Sequence, residues 1–344
     1  MRRKILPAFT VNFMMNSTIK IMEVCGTHTS TIVRGGIRST LPENVRLVSG
    51  PGCPVCVTGE GYIDRLIELG KEGKTIITFG DMIKVPGENG ALADFKASGG
   101  KVSMVYSPFD IVKLAKEFPN EEFVFAAVGF ETIAPIYAML VKRLRDEGIK
   151  NAKLLCAIKK ISPALKILAK DVDGFIAPGH VAAIMGECEF KTLAHKLNRP
   201  FCIAGFTPKA VKAAILSLVS QIEKNEKNTT NLYSSVVSYS GNEKAKGLMS
   251  EVFEEKSAAW RGIGEIDGSG LYLKGEFADF DAGSEGVKEK ERKTACRCGD
   301  VLCGRLLPVE CPLFGKVCTP MSPKGPCMVS SEGACGIWYQ CGGK

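Results

Sequence analysis

Two cysteines, Cys53 and Cys56, form a Cys-x-x-Cys motif inside the segment Gly-Pro-Gly-Cys-Pro-Val-Cys, residues 50–56. An apolar run at residues 45–48 precedes them and predicts a strand, and apolar residues at helical spacing follow at 62–69. At such a junction the unpaired N–H groups and the helix dipole favour negative charge, which lowers the pKa of a thiol. A thiolate attacks disulfides and binds metals, so the motif predicts sulfur chemistry.

A second pair with chemical potential, Cys25 and His28, follows another predicted strand at residues 19–24. A cysteine and a histidine three positions apart in a loop can both reach one site, and Gly26 between them permits close approach of the backbone. The ordinary alternative for each residue alone is a buried core thiol and a hydrogen-bonded histidine.

Strands and helices alternate along most of the chain, which predicts an α/β fold with right-handed crossovers and parallel sheets. We expect two consecutive Rossmann-like parallel-sheet domains plus a small Cys-rich domain. Polar signatures stand at the carboxyl ends of the predicted strands, where open α/β sheets bind ligands. These signatures are Cys25 with His28, Cys53 with Cys56, Asp81, Glu131 and His180.

Composition and pattern place the predicted domains at residues 20–120, 121–228 and 229–344, with residues 1–19 joining the last. The first carries Cys25 and the Cys-x-x-Cys pair, and we expect an active crevice between the first two. Within the third, a helix is predicted at 244–260, followed by short hairpins in the glycine-rich stretch 261–275.

The chain of 344 residues carries a formal charge of +8, but its densest charged run, residues 288–293, is mixed in sign. This predicts a solvated linker and argues against nucleic-acid binding. No apolar run is long enough to span a membrane, and no signal peptide is recognisable, so we expect a cytoplasmic protein without membrane association.

Cysteine is the anomaly of the composition, because eight of the 14 cysteines fall within residues 296–341. In the cytosol, clustered thiols more often bind metal or carry out redox work than form disulfides. The spacing contains no Cys-x-x-Cys pair and no ferredoxin run. It leaves open an iron–sulfur cluster, which we favour, a structural zinc, or unligated thiols.

Five motifs in order resemble HypD, the iron–sulfur protein family that helps to build the Fe(CN)2CO unit of nickel–iron hydrogenases. The motifs are MEVCGTHT (22–29), GPGCPVC (50–56), GFETIAP (129–135), PGHV (178–181) and the tail CPLFGKVCTP…GPCMVSSEGAC (311–335). The resemblance spans nearly the whole chain. It implies two α/β domains and a smaller domain with a 4Fe–4S cluster, a HypC-type small chaperone as partner and a HypE-type cyanide donor.

The resemblance also implies roles for individual residues. Cys25 matches the iron-binding cysteine, Cys53 and Cys56 the redox-active pair, and His28, Glu131, His180 and Glu332 lie within site motifs. The cluster ligands match Cys311, Cys318, Cys327 and Cys335. We expect His28 to hydrogen-bond a thiolate rather than ligate iron, whereas Glu131 is equally explained as a helix-capping anion. Cys303 and Cys341 stand outside the pattern.

Two functional classes follow. The first is a maturation scaffold with redox activity, on which iron is bound, modified and handed on, with the cluster as the source of electrons for the Cys53/Cys56 pair. The alternative is a stand-alone cluster-linked thiol–disulfide reductase. A third, plainer possibility is a zinc-stapled α/β protein. The Cys25/His28 pair favours the scaffold, because a plain disulfide reductase needs no third sulfur beside an imidazole.

Overall fold

The computed structural model describes residues 18–289 and 295–342. Residues 1–17, which were predicted to join the last domain, lie outside these ranges. So do residues 290–293, which are most of the charged run 288–293. The strands are β1 (Ile19–Glu23), β2 (Val45–Ser49), β3 (Thr75–Thr78), β4 (Val102–Met104), β5 (Phe123–Gly129), β6 (Ala152–Lys159), β7 (Gly174–Ala177), β8 (Phe201–Ile203), β9 (Thr229–Asn231), β10 (Phe253–Trp260) and β11 (Gly264–Leu273).

The strands alternate with helices through most of the chain, as predicted. The α-helices are α1 (Gly26–Arg34), α2 (Glu60–Lys71), α3 (Gly80–Ile83), α4 (Leu92–Ala97), α5 (Asp110–Glu117), α6 (Ala134–Asp146), α7 (Ile161–Leu168), α8 (Gly179–Met185), α9 (Glu187–Leu197), α10 (Pro208–Glu223), α11 (Glu243–Val252), α12 (Cys298–Leu302) and α13 (Ala334–Gln340). Short 3-10 turns lie at Arg38–Thr40, Ala169–Asp171, Gly275–Phe280, Ser284–Gly286, Pro308–Glu310 and Pro326–Met328. In the described ranges no helix combines the length and the apolar character that a membrane crossing requires.

Two sheets organise the molecule, and this confirms the α/β class with two Rossmann-like, largely parallel sheets. Sheet A has the order β2-β1-β7-β8-β9 and all its pairings are parallel. Sheet B has the order β10-β11-β6-β5-β3-β4, in which the β10–β11 and β11–β6 pairings are antiparallel and the other three are parallel. The seven residues of β5 are all buried, as expected of a strand covered on both faces.

The order of the sheets along the chain corrects the prediction of two consecutive halves. β1 and β7 are neighbours, with Ile21 opposite Gly174 and Glu23 opposite Ile176, so sheet A is built from segments on both sides of β3–β6. The predicted limits at residues 120 and 228 therefore cut across both sheets. The strands β1, β3, β5 and β7 are similarly apolar and buried, so only packing of the whole chain selects their partners.

The predicted third domain is also shared between the sheets. β9 extends sheet A, and the β10–β11 hairpin extends sheet B through pairing of Gly270 with Lys159. The predicted helix at 244–260 ends at Val252, because the following residues alternate between buried and exposed positions and pair as β10. That the Cys-rich tail forms a separate small domain stays a prediction.

The tail packs against sheet A and the helix that follows β1. Trp338 of α13 joins Val33 of α1 in one apolar cluster, and the guanidinium of Arg38 lies 4.9 Å from the centre of the Trp338 ring. Gly304 lies so close to Val48 that a Cβ on it would be 2.7 Å from a methyl group of that side chain. The tail is thereby held against α1 and the side of β2.

A buried hydrogen bond links the helix that follows β2 of sheet A to a strand of sheet B, and its contribution to stability can be tested. Tyr62 of α2, the helix that follows β2 of sheet A, donates its hydroxyl to the carbonyl oxygen of Leu155 in β6 of sheet B at 2.7 Å. We expect Tyr62→Phe to lower the free energy of unfolding by about 1–2 kcal/mol, because a buried carbonyl loses its partner. Urea unfolding measures the change.

The matched control is Tyr106→Phe, since the side chain of Tyr106 is 89% exposed. It should leave the free energy of unfolding unchanged. Equal effects of the two substitutions would contradict a linking role for Tyr62.

Candidate functional site

A cleft of about 340 Å³ lies between the carboxyl ends of the two sheets, where the crevice was expected. Sheet A contributes the loops after β1, β2 and β7, sheet B those after β5 and β6, and the tail contributes one carboxylate. The lining residues that matter below are Cys25, Gly52, Phe130, Thr132, His180 and Glu332.

Cys25 lies at the end of β1, directly before α1, and its side chain is buried within the cleft wall. Its backbone N–H donates to Oε2 of Glu23 at 3.1 Å, and the N–H groups of Thr27 and His28 point at its sulfur. Burial raises the pKa of the Cys25 thiol to about 11 despite these donors. The isolated thiol is therefore protonated at neutral pH, and a bound metal cation would be needed to hold it as a thiolate.

Glu23 is a buried carboxyl group beneath Cys25. Its Oε1 accepts the hydroxyl of Thr29 at 2.5 Å. Burial raises the pKa of Glu23 to about 7, although the hydrogen bonds and the charge of Arg38 act in the opposite direction. The carboxyl group fixes both the entry and the first turn of α1, and with them the position of Cys25.

The predicted redox pair forms a disulfide in the structure. Cys53 and Cys56 have Cα atoms 5.3 Å apart, and the N–H of Cys56 points at the sulfur of Cys53 at 3.2 Å. Both side chains are buried, with 3% and 0% exposed. The preceding Gly52 packs on Cys25 so closely that a Cβ would lie 2.3 Å from the Cys25 nitrogen. The disulfide turn and Cys25 thus share one wall.

The two predicted histidines take different places. His180 is exposed at the cleft, and its ring stacks on Phe206 with centroids 4.2 Å apart. His28 is fully buried behind Cys25, where Nε2 lies 3.2 Å from the carbonyl oxygen of Gly205 and Nδ1 has no partner. Burial lowers the pKa of His28 to about 4, which keeps the ring neutral. The structure thus places only His180 at the open space.

Glu131 lies next to the cleft but not on its surface. Its Oε1 accepts the N–H of Ile161 at 2.9 Å, at the start of α7, while Oε2 is buried without a partner. Burial raises the pKa of Glu131 to about 7. The side chain orders the loop after β6, because it holds the first amide of α7.

Asp81, one of the polar signatures at the predicted strand ends, connects sheet B to the tail. Its Oδ2 accepts the hydroxyls of Ser330 and Ser331, each at 3.1 Å. The next residue, Glu332, lines the cleft, and burial raises its pKa. Gly26 makes this approach possible, since a Cβ there would lie 2.5 Å from the Cβ of Glu332.

The four predicted cluster cysteines lie close enough to influence one another. The pKa of Cys335 is raised by burial and by a set of surrounding thiols, Cys298, Cys296, Cys318 and Cys311. Cys327 is fully buried, and its thiol hydrogen-bonds that of Cys298. The tail therefore gathers six thiols, those of Cys296, Cys298, Cys311, Cys318, Cys327 and Cys335, which we call the thiol cluster.

The chemistry of this donor set fits an iron–sulfur group. Closely spaced buried thiols disfavour each other's thiolate form, and a bound cation offsets the negative charge and allows them to lose their protons. Within residues 18–289 and 295–342, however, no three histidine, cysteine or acidic side chains are arranged as a metal site. Cys303 lies apart, near the charges of Arg305 and Asp171. Cys341 packs beside Trp338.

Several site residues escaped the sequence analysis. Cys296 and Cys298 were left without a role, although their Cys-x-Cys spacing so near the predicted ligands was a usable signal. Glu23 adjoins Cys25 in the sequence, and an acidic residue at the end of an otherwise apolar strand could have marked it. Arg38 carried no such signal, since only the fold brings its charge near Glu23.

Comparison with known proteins agrees with the resemblance of the motifs. A family model described as HypD, hydrogenase formation hypA family, matches residues 3–342. Hydrogenase maturation factor HypD2 of Bradyrhizobium diazoefficiens is 40% identical over 339 residues, 94% of this chain and 89% of the relative. Hydrogenase maturation factor HypD of Escherichia coli is 39% identical over 333 residues, with 94% and 89% covered. A putative hydrogenase expression/formation protein of Methanocaldococcus jannaschii is 40% identical over 329 residues, with 94% and 92% covered. The chain belongs to the HypD family of hydrogenase maturation factors.

Proposed function

We propose that the protein is a scaffold on which the Fe(CN)2CO unit of nickel–iron hydrogenases is assembled. Iron is held at Cys25 together with a HypC-type chaperone and accepts cyanide from a HypE-type donor. The Cys53/Cys56 pair delivers reducing equivalents. The observation that supports this proposal is the packing of Gly52 on Cys25, because the turn that carries Cys53 and Cys56 then shares one wall of an open cleft with Cys25.

Cys25 suits a soft, electron-rich iron unit as its ligand. Thiolates select such metals, and the two N–H groups aimed at the sulfur stabilise the negative charge that coordination creates. Without a cation the buried thiol stays protonated and is a poor nucleophile. The residue is therefore better matched to holding metal cargo than to attacking a substrate.

The resident cofactor proposed for the tail is a 4Fe–4S cluster, with Cys311, Cys318, Cys327 and Cys335 as its ligands. A bound cluster of this kind supplies electrons one at a time at low potential. The part played by the chain itself is the disulfide, which takes up two electrons and two protons to become two thiols. The buried position of Cys53 and Cys56 keeps large protein substrates away from that exchange.

The other polar residues have supporting roles in this proposal. His28 orients the turn that donates its N–H groups to Cys25, and Glu131 holds the loop that closes the opposite side. His180, exposed at the cleft, is placed to contact the incoming iron unit or its chaperone. The cleft opens to the outside, as a site visited by partner proteins requires.

The alternative, a stand-alone cluster-linked thiol–disulfide reductase, is less well supported. Such an enzyme presents at least one sulfur to its protein substrate, because exchange proceeds through a mixed disulfide. Here both sulfur-bearing side chains are buried. The alternative would also leave the placement of Cys25 in the cleft without a purpose.

The scaffold proposal is tested by metal content and infrared spectra of protein purified anaerobically after co-expression with its chaperone partner. We expect cluster iron and acid-labile sulfide, one additional iron, and cyanide and carbonyl stretching bands. Cys25→Ala should remove the additional iron and the bands but retain the sulfide, because its thiol lies outside the thiol cluster.

Cys188→Ala is the matched control, since this half-buried thiol of α9 lies outside the cleft lining. Bands that survive Cys25→Ala would contradict the assignment of Cys25. Cys53→Ala separates the redox step, because cyanide loading that is intact in this variant would exclude the pair as the route of reducing equivalents. Sulfide without any bands in the native protein would support the reductase instead.

The contact between Gly52 and Cys25 gives a second prediction. In Gly52→Ala the new methyl group would collide with the backbone of Cys25, so the disulfide turn must move. We expect loss of the additional iron and a fall of about 1–3 kcal/mol in the free energy of unfolding, the usual cost of overpacking.

Gly247→Ala is the control, because a Cβ at this helical position meets nothing within 4 Å. It should retain iron and be neutral or slightly stabilising. Full iron content in Gly52→Ala would mean that the shared wall is not required.

Glu131 gives a prediction about pH. Its folded-state pKa is raised to about 7, above its ordinary value, so the unfolded chain ionises first and stability falls as pH rises from about 4.5 to 7. Glu131→Gln removes this titration. The variant should match the native protein near pH 4.5 and gain up to about 2–3 kcal/mol above pH 7. Urea unfolding across this range measures the gain.

The control is Glu255→Gln, which changes an exposed carboxylate paired with Lys160. It should show no gain that grows with pH. A difference between Glu131→Gln and the native protein that is constant from pH 4.5 to 7 would show that Glu131 is not held protonated by burial.

A further inference from the structure

Three consecutive residues, at the end of β10 and in the turn that follows it, contact three parts of the proposed site. These residues, Trp260, Arg261 and Gly262, join the cleft, the disulfide turn and the thiol cluster respectively. From the sequence, Trp260 is the last residue of a predicted helix, and Arg261 and Gly262 begin the glycine-rich stretch; none of them carries a predicted function.

Trp260 connects the turn to the cleft. Its side chain is buried and stacks on Phe130, with ring centroids 5.9 Å apart and an angle of 22° between the planes. Phe130 itself lines the cleft. The indole N–H donates to the hydroxyl of Ser269 at 2.8 Å, which fixes the ring in this position.

Arg261 connects the turn to the segment that directly follows Cys56. Its backbone N–H donates to the carbonyl oxygen of Val57 at 2.9 Å. Its guanidinium forms an ion pair with Glu60, in the first turn of α2, at 2.6 Å, and donates to the carbonyl oxygen of Pro86 at 3.2 Å. The side chains of Arg261 and Glu60 are only 10% and 14% exposed, so solvent screens this pair weakly.

Gly262 connects the turn to the thiol cluster. It has a φ of 75°, which favours glycine, and a Cβ there would lie 2.4 Å from the Cα of Gly299. The contact is reciprocal, since a Cβ on Gly299 would lie 2.7 Å from the Gly262 carbonyl oxygen. Gly299 directly follows Cys298. Arg261 also lies near the thiols of Cys296, Cys298 and Cys327, whose pKa values are raised overall, with hydrogen bonds among the thiols and burial as the main influences and the charge of Arg261 acting weakly in the lowering direction.

We infer that Arg261 is a positioning residue that couples the state of the thiol cluster to the redox equilibrium of the Cys53–Cys56 pair. It holds the segment after Cys56 by two polar contacts, to Val57 and Glu60, and the next residue, Gly262, packs closely on the segment after Cys298. A displacement on one side is therefore transmitted to the other. The inference rests on the proposed function, because it assumes that the pair is redox-active and that the thiol cluster is loaded.

The test measures the equilibrium between the Cys53–Cys56 disulfide and glutathione under anaerobic conditions. Two molecules of glutathione supply two electrons and two protons and become glutathione disulfide, while Cys53–Cys56 becomes two thiols. Alkylation and mass spectrometry give the fraction oxidised, in protein with its iron–sulfur group and in protein stripped by a chelator. We expect the two equilibrium constants of the native protein to differ at least about fivefold, the lower end of ordinary coupling between sites.

In Arg261→Gln the ratio of the two equilibrium constants, with and without the iron–sulfur group, should approach one. Arg261→Lys keeps the charge but not the forked contacts, so its ratio should lie between one and the native value. Arg65→Gln is the matched control. Arg65 lies on α2, the helix that begins at Glu60, and pairs with Glu68 and Glu72 at the surface. It should keep the native ratio. Arg261→Gln with the native ratio and full iron content would overturn the inference.

Hydrogen exchange of the stripped proteins tests the positioning without any metal. Loss of the buried contacts of Arg261 should speed exchange at least about tenfold at residues 57–61 and 298–303 together, with no change in Arg65→Gln. Unchanged exchange in Arg261→Gln would overturn the inference even if the native protein held no iron. Absence of iron and sulfide in the native protein would instead count against the proposed cluster, and equal constants with and without the cluster would overturn the coupling alone.

Discussion

The contact between the backbone of Gly52 and that of Cys25 is the constraint on which the rest of the site depends. There is no room for a Cβ at Gly52, so the disulfide turn lies directly on the loop that carries the thiol. The same device recurs at Gly26, which admits Glu332 of the tail from the other direction. Close backbone packing at two glycines thus brings loops from two strands and the tail to one cleft.

Burial sets the electrostatic character of this cleft. It favours the protonated forms of Cys25, Glu23 and Glu131 and the neutral form of His28, because each group is withdrawn from water. A wall of neutral groups with inward-facing N–H donors binds little by itself. The wall becomes complementary to a metal ion when the charge of that ion causes the Cys25 thiol to lose its proton. This is the behaviour expected of a site that receives and releases metal cargo.

The tail is joined to both sheets, although it is the last part of the chain. α13 packs on α1 beside sheet A, while Asp81 of sheet B accepts hydrogen bonds from Ser330 and Ser331. The β10–β11 turn adds a third attachment through Gly262 and Gly299. The thiol cluster is consequently held by the same two sheets that form the cleft, and a change in the tail acts on a shared framework.

The amino-acid sequence by itself determined the α/β class and the family. It also determined the loops that carry Cys25, Cys53/Cys56 and His180, because the residues that end a strand or a helix are neighbours in the chain. Helix α10, for example, begins at Pro208, directly after Thr207, whose side chain accepts the N–H of Ala210 as a helix cap. Only the tertiary structure decided that β1 pairs with β7 and that residues 253–260 form a strand. It also decided that Glu131 is buried beside the cleft and not among its lining residues, and that Cys296 and Cys298 join the other tail thiols. These outcomes depend on contacts between residues far apart in the chain, where many apolar segments are equivalent in pattern and the packing of the whole molecule selects among them.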